Sequence, residues 1–161
     1  MFSSFHSIDE DCCVKIVPKP NKKNPSNRGV EITGSCNGLL LIRIYDHDLF
    51  LWNPLTKCSK KVFSYHRLRD IGYRVVSGLC FDSSSNEYKA VMALSHHTPG
   101  YGGRFAVVGN FRSKTWTEVH FPYHVSSVNS GSVLNENLHW FASKKSSDHF
   151  LAPREIVYFN P

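Results

Sequence analysis

The pentapeptide Gly34-Ser35-Cys36-Asn37-Gly38 has the spacing of a nucleophile elbow with cysteine at its centre. That chemistry needs a strand running into a helix, because the sharp turn is what exposes the nucleophile. The residues that follow, Leu39–Ile44 (LLLIRI), form a short apolar run bounded by turn formers, which is strand length and not helix length. Asn37-Gly38 therefore reads as a two-residue hairpin turn whose central residues both take positive φ. His96-His97 and the pair His120 and His124 are the imidazoles with metal-ligand chemistry, yet no cysteine or carboxylate stands at ligand spacing beside them. They read as loop histidines. Cys12-Cys13 reads as two small, partly buried side chains. The 5 cysteines form no C-x-x-C pair, which points to reduced thiols in the cytoplasm or nucleus.

The elements that position these residues are short strands. Residues 31–36, 39–44 and 49–52 are three of them, and Asn53-Pro54 ends the third because proline cannot donate to a ladder. Residues 57–61 are polar, and Val62-Phe63 closes a fourth, outer strand. The pattern then returns. Setting Asn53 over Asn110 (110 − 53 = 57) aligns LWNPLTKCSKKV with VGNFRSKTWTEV. SGLCFDSSSNEYKAVMAL stands in the place of TGSCNGLLLI, and a third copy runs from Ser130 through Asn135-Glu136-Asn137 to Val157-Tyr158-Phe159-Asn160-Pro161.

Four strands recurring every 40–50 residues or so mark propeller blades. The expected fold is all-β, an incomplete propeller-like array of four-stranded antiparallel blades within one domain over 1–161. Residues 1–17 are expected to end a preceding blade, 30–63 and 75–119 to be blades, and 128–161 a truncated one. Such an array leaves apolar faces at its two ends. Propeller hydrolases place acids on inner strands, but Glu31 is the lone acid in 30–36, 75–81 and 128–134. Asp46 and Asp48 suit a turn. No catalytic residue, metal site or cofactor is expected.

GSCNGLLLI, LWNPLTK, GLCFDSSSNEYKAV and GSVLNENLHWFA, in that order, closely resemble the plant F-box-associated domain, the kelch-like, propeller-type region that follows the F-box in many plant proteins. The resemblance implies a module that holds a target protein while an F-box docks on a Skp-type adaptor of an SCF-type cullin–RING ubiquitin ligase. No F-box precedes Met1-Phe2-Ser3, so the adaptor would be reached only through an F-box absent here. The alternative is a stand-alone or decoy interaction module, or a truncated inactive product, without ligase recruitment.

Propeller geometry says where a partner would sit. Connections from outer to next inner strand, and from second to third strand, share one face. That face collects Lys22, Lys23, Arg28, Tyr65, His66, Arg67, Arg69, His96, His97, Tyr101 and Arg104, residue types suited to protein contacts. The net charge of +6 steers an acidic or phosphorylated target towards such a face. Nucleic acid is disfavoured, since no RNA-module motif occurs and most aromatic residues fall inside strands. At 41% hydrophobic and 13% aromatic the composition is globular, with no signal peptide and no run that crosses a membrane. Trp52, Trp116 and Trp140 are the expected structural core, each packed between blades.

Overall fold

A computed structural model describes residues 30–44, 48–64, 72–96, 98, 103–125, 131–144 and 154–161. Twelve strands and no helix occur among them. The first sheet has the order β1-β2-β3-β4: β1 (Val30–Cys36), β2 (Leu39–Ile44), β3 (Asp48–Asn53) and β4 (Cys58–Ser64). The second repeats it with β5 (Tyr73–Asp82), β6 (Glu87–His96), β7 (Arg104–Asn110) and β8 (Thr115–His120). In the third, β11 (Asn137–Ser143) pairs with β12 (Glu155–Phe159) on one side. On its other side β11 pairs with two short pieces, β9 (His124–Val125) and β10 (Ser132–Leu134). All pairings are antiparallel, so the fold is the all-β, propeller-like array of blades without closure. The residues expected to end a preceding blade lie outside the described ones.

The turns follow from local chemistry. Asn37 and Gly38 have φ of 48° and 81°, the positive pair that a two-residue hairpin with right-handed strand twist requires. Three wider turns share another device. The side chains of Asn53, Asp82 and Asn110 accept hydrogen bonds from backbone amides two or three residues on, at 3.0 Å from Leu55, 2.9 Å from Ser84 and 3.3 Å from Ser113. Each turn then closes on a left-handed residue: Lys57, Asn86 or Lys114, with φ of 58°, 54° and 55°.

Register makes the three sheets equivalent. Leu40 pairs with Trp52, Ala90 with Gly109, and Leu138 with Phe159, each just before an asparagine. Side chains in such a row share one face. In the second sheet Gly109 also pairs with Trp116, whose ring occupies the space a Cβ on Gly109 would need. In the first sheet that row carries Trp52 on the third strand and the buried Ser59 on the fourth. The large ring has exchanged strands while its small partner preserves the room.

The sheets meet along their inner strands. A Cβ on Gly34 of β1 would stand 2.7 Å from the Leu79 amide nitrogen of β5, so the backbones touch there. The Gly131 amide donates to the Ser77 carbonyl at 2.9 Å, tying the inner edge of the third sheet to β5. Outward from these lines lie two cores. Leu39, Leu41, Leu49 and Leu51 of the first sheet meet Val75, Leu79, Met92, Leu94, Phe105 and Val107 of the second. The other face of the second sheet, Val76, Cys80, Val91, Ala93 and Ala106, meets Val125, Leu138, Trp140, Ala142 and Val157 of the third.

The tryptophans differ in placement. Trp140 is buried in the second core. Trp116 is half-buried and stacks on Phe63 of the first sheet, ring centroids 3.9 Å apart. Trp52 is half-buried and belongs to neither core cluster of the described residues. Strand alternation is the reason, because Leu49 and Leu51 face the second sheet and Trp52, one residue on, faces away.

Candidate functional site

Antiparallel strands give the array two poles. The tight turns at Asn37, Asn53, Asp82, Asn110 and Asn135 gather at one. The ends of β2, β4, β6, β8 and β11, together with the starts of β5, β7 and β12, gather at the other. The tight pole is tied internally: Ser83 Oγ donates to Glu136 Oε2 at 2.8 Å between the second and third sheets. Asp82 accepts from the Lys89 ammonium at 2.6 Å and from the Ser84 and Ser85 hydroxyls, each at 2.6 Å. Those partners, Lys89 first, hold its carboxyl well below the usual carboxylate range.

Both poles carry cations among the described residues, Lys57, Arg112 and Lys114 standing in the tight turns, but the loop pole brings arginines and an imidazole of two sheets together. Arg74 of β5 pairs in register with Ser95 of β6, and Ser95 with Arg104 of β7, so both arginines and the serine stand on one face. Ser95 is buried, and its Oγ accepts from the Val125 amide of the third sheet at 3.1 Å. That bond draws β9 onto the middle of the row, which brings His124, the neighbouring residue, within reach of the charges of both arginines. Burial, then the charges of Arg104 and Arg74, push the His124 pKa below its ordinary value, so its imidazole is neutral at pH 7. Arg104 is fixed by its own Nη1, which donates to the Pro122 carbonyl at 2.7 Å and to the Lys144 carbonyl at 3.4 Å. Lys144 sits 6.0 Å from the centre of the Tyr123 ring and pairs with Glu155 at 3.4 Å.

The seam between the first and second sheets carries a different arginine. Arg43, 5% exposed, donates Nη2 to Glu31 Oε2 at 2.6 Å and Nη1 to the Val75 carbonyl at 3.3 Å. Glu31, the acid expected on the inner strands, is thus an ion-pair partner, and β5 ends on a second acid, Asp82, held by Lys89. Cys36 lies on the strand before a hairpin, and burial raises its thiol pKa, which is the opposite of an activated nucleophile. Cys80 is pushed further, to about 12, chiefly by burial. Among the described residues no group of three His, Cys, Asp or Glu side chains is placed to hold a metal.

Of the surface residues expected from sequence, only His96 and Arg104 are described. They part company. His96 is 7% exposed, accepts from the Thr98 amide through Nδ1 at 3.0 Å and packs edge-on to Tyr73. It shapes the start of its loop and offers no contact surface. Arg104 is exposed at the pole. Lys22, Lys23, Arg28, Tyr65, His66, Arg67, Arg69, His97 and Tyr101 lie outside the described residues. Arg74, His124 and Lys144 were not among the residues singled out from sequence. What groups the four is cross-strand register, which no local motif announces.

This arrangement suits recognition of oxyanions by guanidinium and imidazole groups on a rigid rim. Antiparallel four-stranded blades with an adapted pole define the class of propeller-type recognition domains. The chain belongs to the F-box associated beta propeller domain family, which it matches over residues 1–160. The domain of that family is an interaction domain and not a catalytic one. The chain is similar to the F-box/kelch-repeat protein At3g23880 of Arabidopsis thaliana, 30% identical over 124 residues, 73% of this chain and 33% of that protein. It is also similar to the putative F-box protein At3g16210 of the same plant, 27% identical over 119 residues, 72% of this chain and 31% of the other. The chain therefore spans about a third of the length of these curated relatives. No solved structure matches it. Among the described residues no helix is long and apolar enough to cross a membrane.

Proposed function

We propose that the chain is the target-holding part of an F-box receptor in an SCF-type cullin–RING ubiquitin ligase. In this reading an F-box elsewhere on the receptor docks on a Skp-type adaptor, and the loop pole grips a protein with an acidic or phosphorylated segment. The observation that carries it is the meeting of Arg74, Arg104, His124 and Lys144 at the loop pole, where Glu155 pairs with Lys144. Family membership supports the receptor role, since both relatives are described as F-box proteins. Cytoplasm or nucleus is the matching compartment, and Cys36, Cys58 and Cys80 are free thiols as such a compartment requires.

The test is affinity capture with residues 1–161, the same chain joined to an F-box, and a variant carrying Arg67→Glu and Arg104→Glu. The F-box fusion retains the adaptor and residues 1–161 do not. Proteins retained by both are lost with the double variant. Adaptor binding by residues 1–161, or a retained set indifferent to the charge reversal, overturns the reading.

A further inference from the structure

The row Arg74–Ser95–Arg104 has an unusual construction for a sheet end. Like charges two strands apart face the same side, about 10 Å from Cβ to Cβ by strand spacing. Ordinary sheet ends interleave opposite charges, because like charges on neighbouring positions repel. Here the middle position is a buried serine whose hydroxyl is spent on the Val125 amide. No carboxylate of a described residue pairs with either arginine, and Glu155, the acid nearest in register, is engaged by Lys144.

Two further features make this a built cleft and not a scatter of surface charge. Arg104 donates Nη1 to carbonyls of residues on both sides of His124, Pro122 and Lys144. That fixes the guanidinium plane while leaving its remaining edge directed away from those carbonyls. The ordering cost of an arginine is thereby met before any ligand arrives. His124 is half-buried at the edge where the second and third sheets meet, near enough to Arg104 and Arg74 to feel both charges. Two guanidinium groups on one face, with an imidazole within reach of their charge, supply donors for the oxygens of a doubly charged oxyanion, and planar arginine forks bind such groups bidentately.

We propose that Arg74, Arg104 and His124 form an anion site, at the loop-pole end of the seam between the second and third sheets, which takes the phosphate monoester of a phosphorylated residue on the target protein. The identity of the ligand as part of a target rests on the receptor reading above; the anion site itself does not. Phosphate entering the site adds negative charge beside His124 and opposes the effect of the two arginines, so the imidazole titrates at higher pH when the site is filled. The other charged groups near it are Lys144 and, paired to it, Glu155.

The test uses residues 1–161 titrated with inorganic phosphate while the His124 ring is followed by NMR. The midpoint of His124 titration rises with phosphate and saturates. Arg74→Gln, which removes an exposed side chain with no hydrogen bond to another described residue, weakens phosphate binding at least tenfold. Arg112→Gln, at the opposite pole, changes it less than twofold. Arg104→Gln also loosens the seam, so Arg74→Gln is the deciding variant. A phosphoserine peptide then competes with phosphate and its unphosphorylated twin does not. A His124 ring indifferent to saturating phosphate, or an Arg74→Gln variant that binds like the parent, overturns the site. So does an oligouridylate that outcompetes the phosphoserine peptide. Capture of targets without any phosphate response sinks this inference and leaves the receptor reading standing. Phosphate binding without target capture does the reverse.

Discussion

The seam between the first and second sheets and the seam between the second and third are built on different principles. At the first, backbones touch at Gly34, the filling side chains are mostly leucines with Met92 and Phe105, and Arg43 is buried against Glu31. At the second, the second sheet offers mainly small residues (Gly78, Cys80, Ala93, Ala106), and Trp140 and Leu138 of the third sheet fill the space. One seam is a close backbone approach flanked by even-sized side chains. The other is a large ring lowered into a shallow face. The first should tolerate little change in backbone volume, and the second should depend on a few large side chains.

Gly34→Val gives the largest effect expected. Its Cβ would meet the Leu79 amide, a backbone atom that cannot rotate aside, so the seam must open. Loss of at least about 3 kcal/mol, and of most soluble protein, follows. Gly131→Ala is the matched probe at the other seam. There the added carbon meets the indole Nε1 of Trp140 at 2.5 Å, the side chain and not the backbone, and the ring can tilt. About 1–2 kcal/mol is expected by chemical denaturation. Equal losses would erase the distinction between the seams.

Trp140→Ala is next, at about 3–5 kcal/mol, because the ring is 4% exposed and its removal empties the second seam. Trp52→Ala should cost about 2 kcal/mol, in proportion to its half burial. The ion pair of the first seam behaves asymmetrically. Glu31→Gln leaves Arg43, with a side chain 6% exposed, unpaired and buried, at about 3 kcal/mol. Arg43→Met leaves Glu31, 48% exposed and able to hydrate, at about 1 kcal/mol. A larger loss from Arg43→Met would mean that the Val75 contact, not the charge, matters.

Much of the first two sheets was legible in sequence because hairpin chemistry is local. Asn37-Gly38, Asn53-Pro54 and the Asp82–Asn86 turn state their geometry in consecutive residues, and strand alternation supplies the faces. β4 runs longer than expected, from Cys58 to Ser64, because polar Lys60 and Lys61 sit on an outer strand half open to solvent. The third sheet was harder. Its described inner-edge pieces are β9 and β10, and the pairing of Val125 with Ala142 lies ahead of the 128–134 strand expected from sequence. For Trp52 a repeat alignment locates the row but not which neighbour the row faces, and the structure turns it away from the second sheet. The basic pole was legible as composition only. Arg74 and Arg104 are 30 residues apart and become neighbours of Ser95 solely through two ladders.

The smallest effect separates the three like-built turns by charge. Asn53, Asp82 and Asn110 each accept from the backbone amide three residues on, but Asp82 alone is ionisable and is held by Lys89. Folding lowers its pKa, so the folded state binds the proton less readily than the unfolded chain does. The stabilisation is complete above the ordinary aspartate range, above about pH 5, and drains away as pH falls towards the depressed value. Asp82→Asn keeps the turn, since asparagine makes the same backbone bonds at 53 and 110, and discards the charge. The variant should match the parent's turn geometry and lose stability modestly at pH 7. Its stability should also fall less steeply than the parent's between pH 5 and pH 3, as read by thermal unfolding across that range. An acid limb unchanged by Asp82→Asn would assign the pH dependence to other carboxylates and leave the Lys89 pair without a role in it.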